Sequence, residues 1–69
     1  MASSPPSRGI DLRVARIRAH LSQVEVARCA GVSRQTIGRI EQQDRVRREL
    51  AARHMEALRR AAALRDAAS

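Results

Sequence analysis

A chain of 69 residues holds one domain at most, and its core hides only roughly 60% of the surface the unfolded chain exposes; without Phe, Tyr or Trp that core must come from Leu, Ile, Val, Ala and Met, which favours packed helices over a sheet. Fourteen basic residues, all of them Arg, stand against seven acidic ones, and the net charge of +7 points to an anionic partner that a planar guanidinium can grip with two hydrogen bonds. The lone Cys29 excludes an internal disulfide, Cys29, His20 and His54 match no zinc spacing, and no apolar run approaches a membrane span.

Residues 1–9 read as a flexible arm, since Pro, Ser and Gly there offer neither a repeating apolar face nor helix propensity. The segment has no apolar stretch of the kind a secretory signal needs, so a cytoplasmic location is expected. Residues 10–69 form the expected domain. Asp11 is placed to cap a first helix. Ile10, Val14, Ile17 and Leu21 recur at spacings of four, three and four and are expected to face inward, with Leu12 and Ala15 widening that face. Arg13, Arg16 and Arg18 are interleaved with it, and the helix should end near His20.

Ser22 and Glu25 form a capping box, in which each side chain accepts from the other residue's backbone N–H. The helix it opens is expected to bury Val26, Ala27 and Ala30. Gly31 supplies a left-handed stop, Val32 packs at the turn, and Ser33 caps a third helix through Glu41. Gln42, Gln43, Asp44 and Arg45 break the apolar pattern and read as a loop. A long helix follows from about 48 to 67, rich in Ala, Leu, Arg and Glu. It carries two neighbouring stripes. One is Leu50, His54, Ala57, Ala61, Leu64 and Ala68; the other is Ala51, Met55, Leu58 and Ala62. Two stripes exceed one contact, which suggests a homodimer through the C-terminal helix. His54 is expected at a surface or interface, and Cys29 to pack as a small apolar residue.

Leu21, Ser22, Gln23, Glu25, Val26, Ala27, Ala30, Gly31, Val32, Ser33, Ile37, Ile40 and Glu41 stand at the spacing L-S-Q-x-E-[LV]-A-x-x-A-G-V-S-x-x-x-I-x-x-I-E. In this the chain resembles the phage repressor and Cro class of helix-turn-helix proteins, also called the XRE type. The likeness covers about residues 10–60 and is strongest over 21–41. It implies an all-α, small lambda-repressor-like domain with the helix-turn-helix at 22–41 and the long helix behind it. Two positions depart from the family: His20 stands where glycine is common, so a less sharp first turn is expected, and Val24 is apolar where polar residues prevail. The family's fifth helix is missing as well.

The resemblance implies a protein that reads double-stranded DNA. Arg34, Gln35 and Arg39 would approach base edges in the major groove, with Thr36 near the backbone or a thymine methyl. Gln23, Ser33, Gln42, Arg45 and Arg47 would meet phosphates. Arg16 would pair with Glu41, while Ala27, Gly31 and Ile37 hold the two short helices together. A sequence-specific transcriptional regulator follows, with no metal, cofactor, membrane or catalytic role expected. A dimer of it would prefer half-sites about 10 base pairs apart. A different class stands beside this one: an antitoxin or protein-binding adaptor that uses the long helix to hold a protein partner, with DNA binding secondary.

Overall fold

The computed structural model describes residues 8–68. These form four helices: α1 (Gly9–Arg18), α2 (Gln23–Ala30), α3 (Arg34–Gln42) and α4 (Arg48–Ala68). There is no strand among the described residues. α4 lies along α2 and touches α1, and α3 packs between α1 and α2. One core cluster joins Leu21, Val26, Ala27, Ile37, Ala57, Leu58 and Ala61; a second joins Leu12, Ile40, Val46 and Ala51. Val46 is the apolar anchor of the α3–α4 connection. The arm expected over residues 1–9 lies outside the described residues as far as position 7.

Gly9 does not belong to an arm: it is buried and opens α1. Its N–H donates to the carbonyl of Gln43 at 2.9 Å, which docks the amino end of α1 on the carboxyl end of α3. No side chain fits there. A Cβ on Gly9 would lie 2.5 Å from the carbonyl oxygens of both Ile40 and Glu41. Asp11 is not the cap that its position suggests. The N-cap is Arg8, without a side-chain bond, and Asp11 lies inside the first turn, where a negative charge favours the helix dipole.

The inward face of α1 also differs from the expected one. Leu12 is fully buried, and Ala15 and Ala19 pack against the core, whereas Ile10, Val14 and Ile17 are 52%, 39% and 51% exposed. The cause is rotational. Leu12 and Arg16 are four apart and share a face, and Arg16 must reach Glu41; residues 10, 14 and 17 then fall roughly half a turn away.

His20 supplies a sharp turn after all. It takes a left-handed φ of 59°, its N–H donates to the Ile17 carbonyl, and the N–H of Leu21 donates to that of Arg16. This is the paired-bond helix stop usually built on glycine. Gly31 repeats it at the end of α2, with φ 71° and bonds from Gly31 to Arg28 and from Val32 to Ala27. Arg65 of α4 reaches across to the carbonyls of Ala19 and His20, satisfying acceptors that the end of α1 leaves open.

In α2, Val26 and Ala27 are buried as expected, but Ala30 is exposed, and Val32 is 41% exposed instead of packing at the turn. Val26 and Ala27 join the core cluster, and Cys29 packs against it half-buried in the last turn of α2. Both stripes of α4 turn out to serve the protein's own core. His54, Ala57 and Ala61 are buried from the first, Ala51 and Leu58 from the second, and Met55 and Ala62 pack at the edges. Only Leu64 and Ala68 of the two stripes stay exposed. His54 is therefore not a surface residue: it is 2% exposed, and neither ring nitrogen has a hydrogen-bond partner among the described residues.

Candidate nucleic-acid interface

α3 is built with one apolar side and one bare side. Ile37, Ile40 and Glu41 are buried, and Arg34, Gln35 and Arg39 are exposed on the outside of the same helix. The division follows from sequence spacing for most of the helix, since 37, 40 and 41 lie on one face and 35 and 39 on the opposite one, while Arg34 is exposed as the first residue of α3. Ser33 fixes the amino end. Its Oγ accepts from the N–H of Thr36 at 3.2 Å and lies 3.0 Å from the Thr36 hydroxyl. No acidic residue stands in this first turn, so the positive end of the helix is left unopposed toward solvent.

The other end is held by ion pairing. Arg16 Nε donates to Glu41 Oε2 at 2.6 Å and Nη2 to Oε1 at 3.1 Å, while Nη1 donates to the Leu21 carbonyl at 2.9 Å. The side chains keep 12% and 3% of their accessibility, so this pair is largely withdrawn from water. Gln23 completes the arrangement. Its Nε2 donates to Glu41 Oε1 at 3.2 Å and its Oε1 accepts from Arg34 Nη1 at 3.5 Å. One amide thus connects the start of α2 to both ends of α3.

α2 begins with the expected capping box: Glu25 N–H donates to Ser22 Oγ at 3.1 Å and Ser22 N–H to Glu25 Oε1 at 2.9 Å. The bond from the Ser22 backbone, aided by its hydroxyl, holds the Glu25 carboxyl below its ordinary pKa. The box leaves the first N–H groups of α2, at Gln23 and Val24, without an intrahelical acceptor.

These elements match a helix-turn-helix domain family over residues 9–68. The chain belongs to that family. No curated protein and no solved structure matches it. In this helix-turn-helix, α2 is the supporting helix, Gly31 to Ser33 the turn, and α3 the outward helix of the kind such domains lay in the major groove of DNA.

The helix-turn-helix gathers the residues singled out from sequence onto neighbouring surfaces. Arg34, Gln35 and Arg39 are exposed on α3, and Thr36 is half-buried with its hydroxyl turned to Ser33. Gln42 ends α3, one residue later than the sequence suggested, and Arg45 and Arg47 are exposed in the connection to α4. Gln23 is half-buried, and its side chain is engaged within the protein. A cleft between α1 and α3 is lined by Arg13, Arg16, Gln23, Gly38, Glu41 and Gln42. Arg13 adds an exposed cation beside Gln23 and Gln42 that sequence reasoning did not assign. Its spacing three before Arg16 was the available signal.

No helix among the described residues is long and apolar enough to cross a membrane, and no group of three His, Cys, Asp or Glu among them is placed to hold a metal ion.

Proposed function

We propose that this protein is a transcriptional regulator of the repressor and Cro kind, which recognises a particular double-stranded DNA sequence by laying α3 in the major groove. The observation that carries the reading is the two-sidedness of α3. Its inner side is clamped by core and ion pair, and its outer side presents Gln35 and Arg39 to solvent, with exposed Arg34 at the helix start touching Gln23. Arg suits the O6 and N7 of guanine, and Gln suits N6 and N7 of adenine. Gln23, Ser33, Gln42, Arg45 and Arg47 flank the helix and would contact phosphates, which set register without choosing sequence. The net charge of +7 supplies the general attraction to the duplex.

The adaptor reading rested on spare apolar stripes along the long helix, and those stripes are largely buried in the protein's own core. No observation favours it over DNA reading.

Selection of bound duplexes from a random pool, followed by titration of the selected site, tests the proposal. Arg39→Ala should weaken selected-site binding by roughly 5- to 150-fold, matching the ~1–3 kcal/mol of one bidentate base contact, and relax the preference at the base position it reads. Arg47→Ala should weaken all sequences alike and reduce the slope of log K against log salt by about 0.9. Equal affinity of the parent and Arg39→Ala proteins for the selected and scrambled duplexes would refute the reading.

A further inference from the structure

The stripe of Ile10, Val14 and Ile17 has no covering element among the described residues. Single exposed apolar residues are ordinary, but these three occupy successive turns of one face along nearly the whole of α1. Their edges are charged in an ordered way. At about 100° per residue, Asp11 and Arg18 fall together on one edge of the stripe and Arg13 on the other. Asp11 and Arg18 are exposed, and neither takes part in an ion pair among the described residues.

We propose that this face binds α1 of a second copy of the chain, antiparallel about a two-fold axis at Val14. Ile10 and Ile17 are seven residues apart, about 10.5 Å along the helix, and so are Asp11 and Arg18. One reversal of direction about Val14 brings both sets to within one residue, about 1.5 Å, of register: Ile10 meets the partner subunit's Ile17, and Asp11 meets the partner subunit's Arg18. A parallel two-fold pairing would exchange the two edges and leave Asp11 and Arg18 of opposite subunits apart. The surface is self-complementary, as a two-fold interface requires. Arg13 meets its counterpart near the axis, an exposed like-charge contact that salt screens. One ten-residue helix face is small, below the ~1,200 Å² that marks the weaker end of specific interfaces, so the pairing is transient in free solution.

The full chain is examined by sedimentation equilibrium from about 10 μM to about 1 mM in 0.15 M salt, with circular dichroism as the check of folding for every variant. A monomer–dimer equilibrium with a dissociation constant on the order of 100 μM is expected. Ile17→Ser should weaken it at least about tenfold, since that exposed side chain meets the stripe twice in each dimer. Asp11→Arg should weaken it comparably, and Asp11→Arg combined with Arg18→Asp should restore it to within about threefold, because the two edges exchange signs together. Glu49→Arg makes the same change of net charge at an exposed position on α4 and should leave the equilibrium within about threefold. A monomer throughout the range overturns the proposal. So does a dimer indifferent to Ile17→Ser, or a charge-exchanged double variant no better than Asp11→Arg.

Discussion

Arg16 on α1 grips both carboxylate oxygens of Glu41 on α3, twenty-five positions further along the chain, with bonds of 2.6 and 3.1 Å. A third bond, from Arg16 to the Leu21 carbonyl, draws in the turn before α2, and Gln23 donates to the same carboxylate. Three helices therefore meet at one nearly buried carboxylate, and the turn before α2 is tied to it through Arg16. Removing one partner leaves the other charged and dry. Glu41→Ala is expected to cost about 3–5 kcal/mol. That is a large part of the stability of a 69-residue domain, on the order of 3–10 kcal/mol in all. Urea denaturation measures it. Arg16→Met combined with Glu41→Leu should cost less than the sum of the single changes, since no charge is then stranded.

Two glycines should resist replacement for different reasons. Gly9→Ala forces a Cβ against backbone carbonyls at 2.5 Å, so α1 must shift off the end of α3; a loss of about 1–3 kcal/mol is expected. Gly31 has open space around it, yet its φ of 71° charges any larger residue about 1–2 kcal/mol. Thermal melting of Gly31→Asn and Gly9→Asn separates the two, because Asn tolerates the left-handed region and cannot relieve a collision.

His20 holds a left-handed φ of 59° with a full side chain. His20→Gly should raise stability by about 0.5–1 kcal/mol, the relief of strain exceeding the added freedom of the unfolded chain. His20→Val should lower it, since branching at Cβ makes that conformation worse. Paired melting curves decide the order.

Burial holds the His54 imidazole below its ordinary pKa, against a smaller opposing pull from Glu41, and Arg16 lowers it further. The unfolded chain then binds a proton more readily than the folded one. Stability from this residue is complete above the unfolded value of about 6.5 and declines as pH falls from there toward the lowered folded value. His54→Leu should flatten the stability profile in that window. At pH 7.5 it should be neutral or stabilising, because it removes two buried polar atoms that have no hydrogen-bond partner among the described residues.

Four helices and their order were legible in the sequence because their punctuation is local. Ser22 with Glu25, Gly31 and Ser33 each act on backbone groups within four residues, so their meaning does not depend on the rest of the fold. The pairing of Arg16 with Glu41 followed from family likeness alone. The inward face of α1 was misread because periodicity identifies an apolar stripe without saying whether the core lies behind it; the choice was made by Arg16 and Gly9, whose partners are on α3. Gly9 itself looked like part of a Pro- and Ser-rich leader, since a close approach between distant segments leaves no mark on local composition. His54 was misplaced for a related reason. A titratable side chain at a seam position reads as surface until its neighbours are known, and here Ala51, Ala57 and Leu58 around it are all buried. The proposed DNA-reading roles of Arg34, Gln35 and Arg39 rest on their common exposure on α3.

Ser33 fastening the first turn of α3, and Glu41 fastening its last, mean that the backbone of this helix has surrendered its freedom during folding, at ~1–2 kcal/mol for each ordered residue, before any ligand arrives. On the proposed reading, a duplex meets a surface already in its bound shape, so association loses only the rotamers of a few long side chains. Discrimination between sequences then resides in how the guanidinium groups settle. The helix that carries them does not have to form on contact.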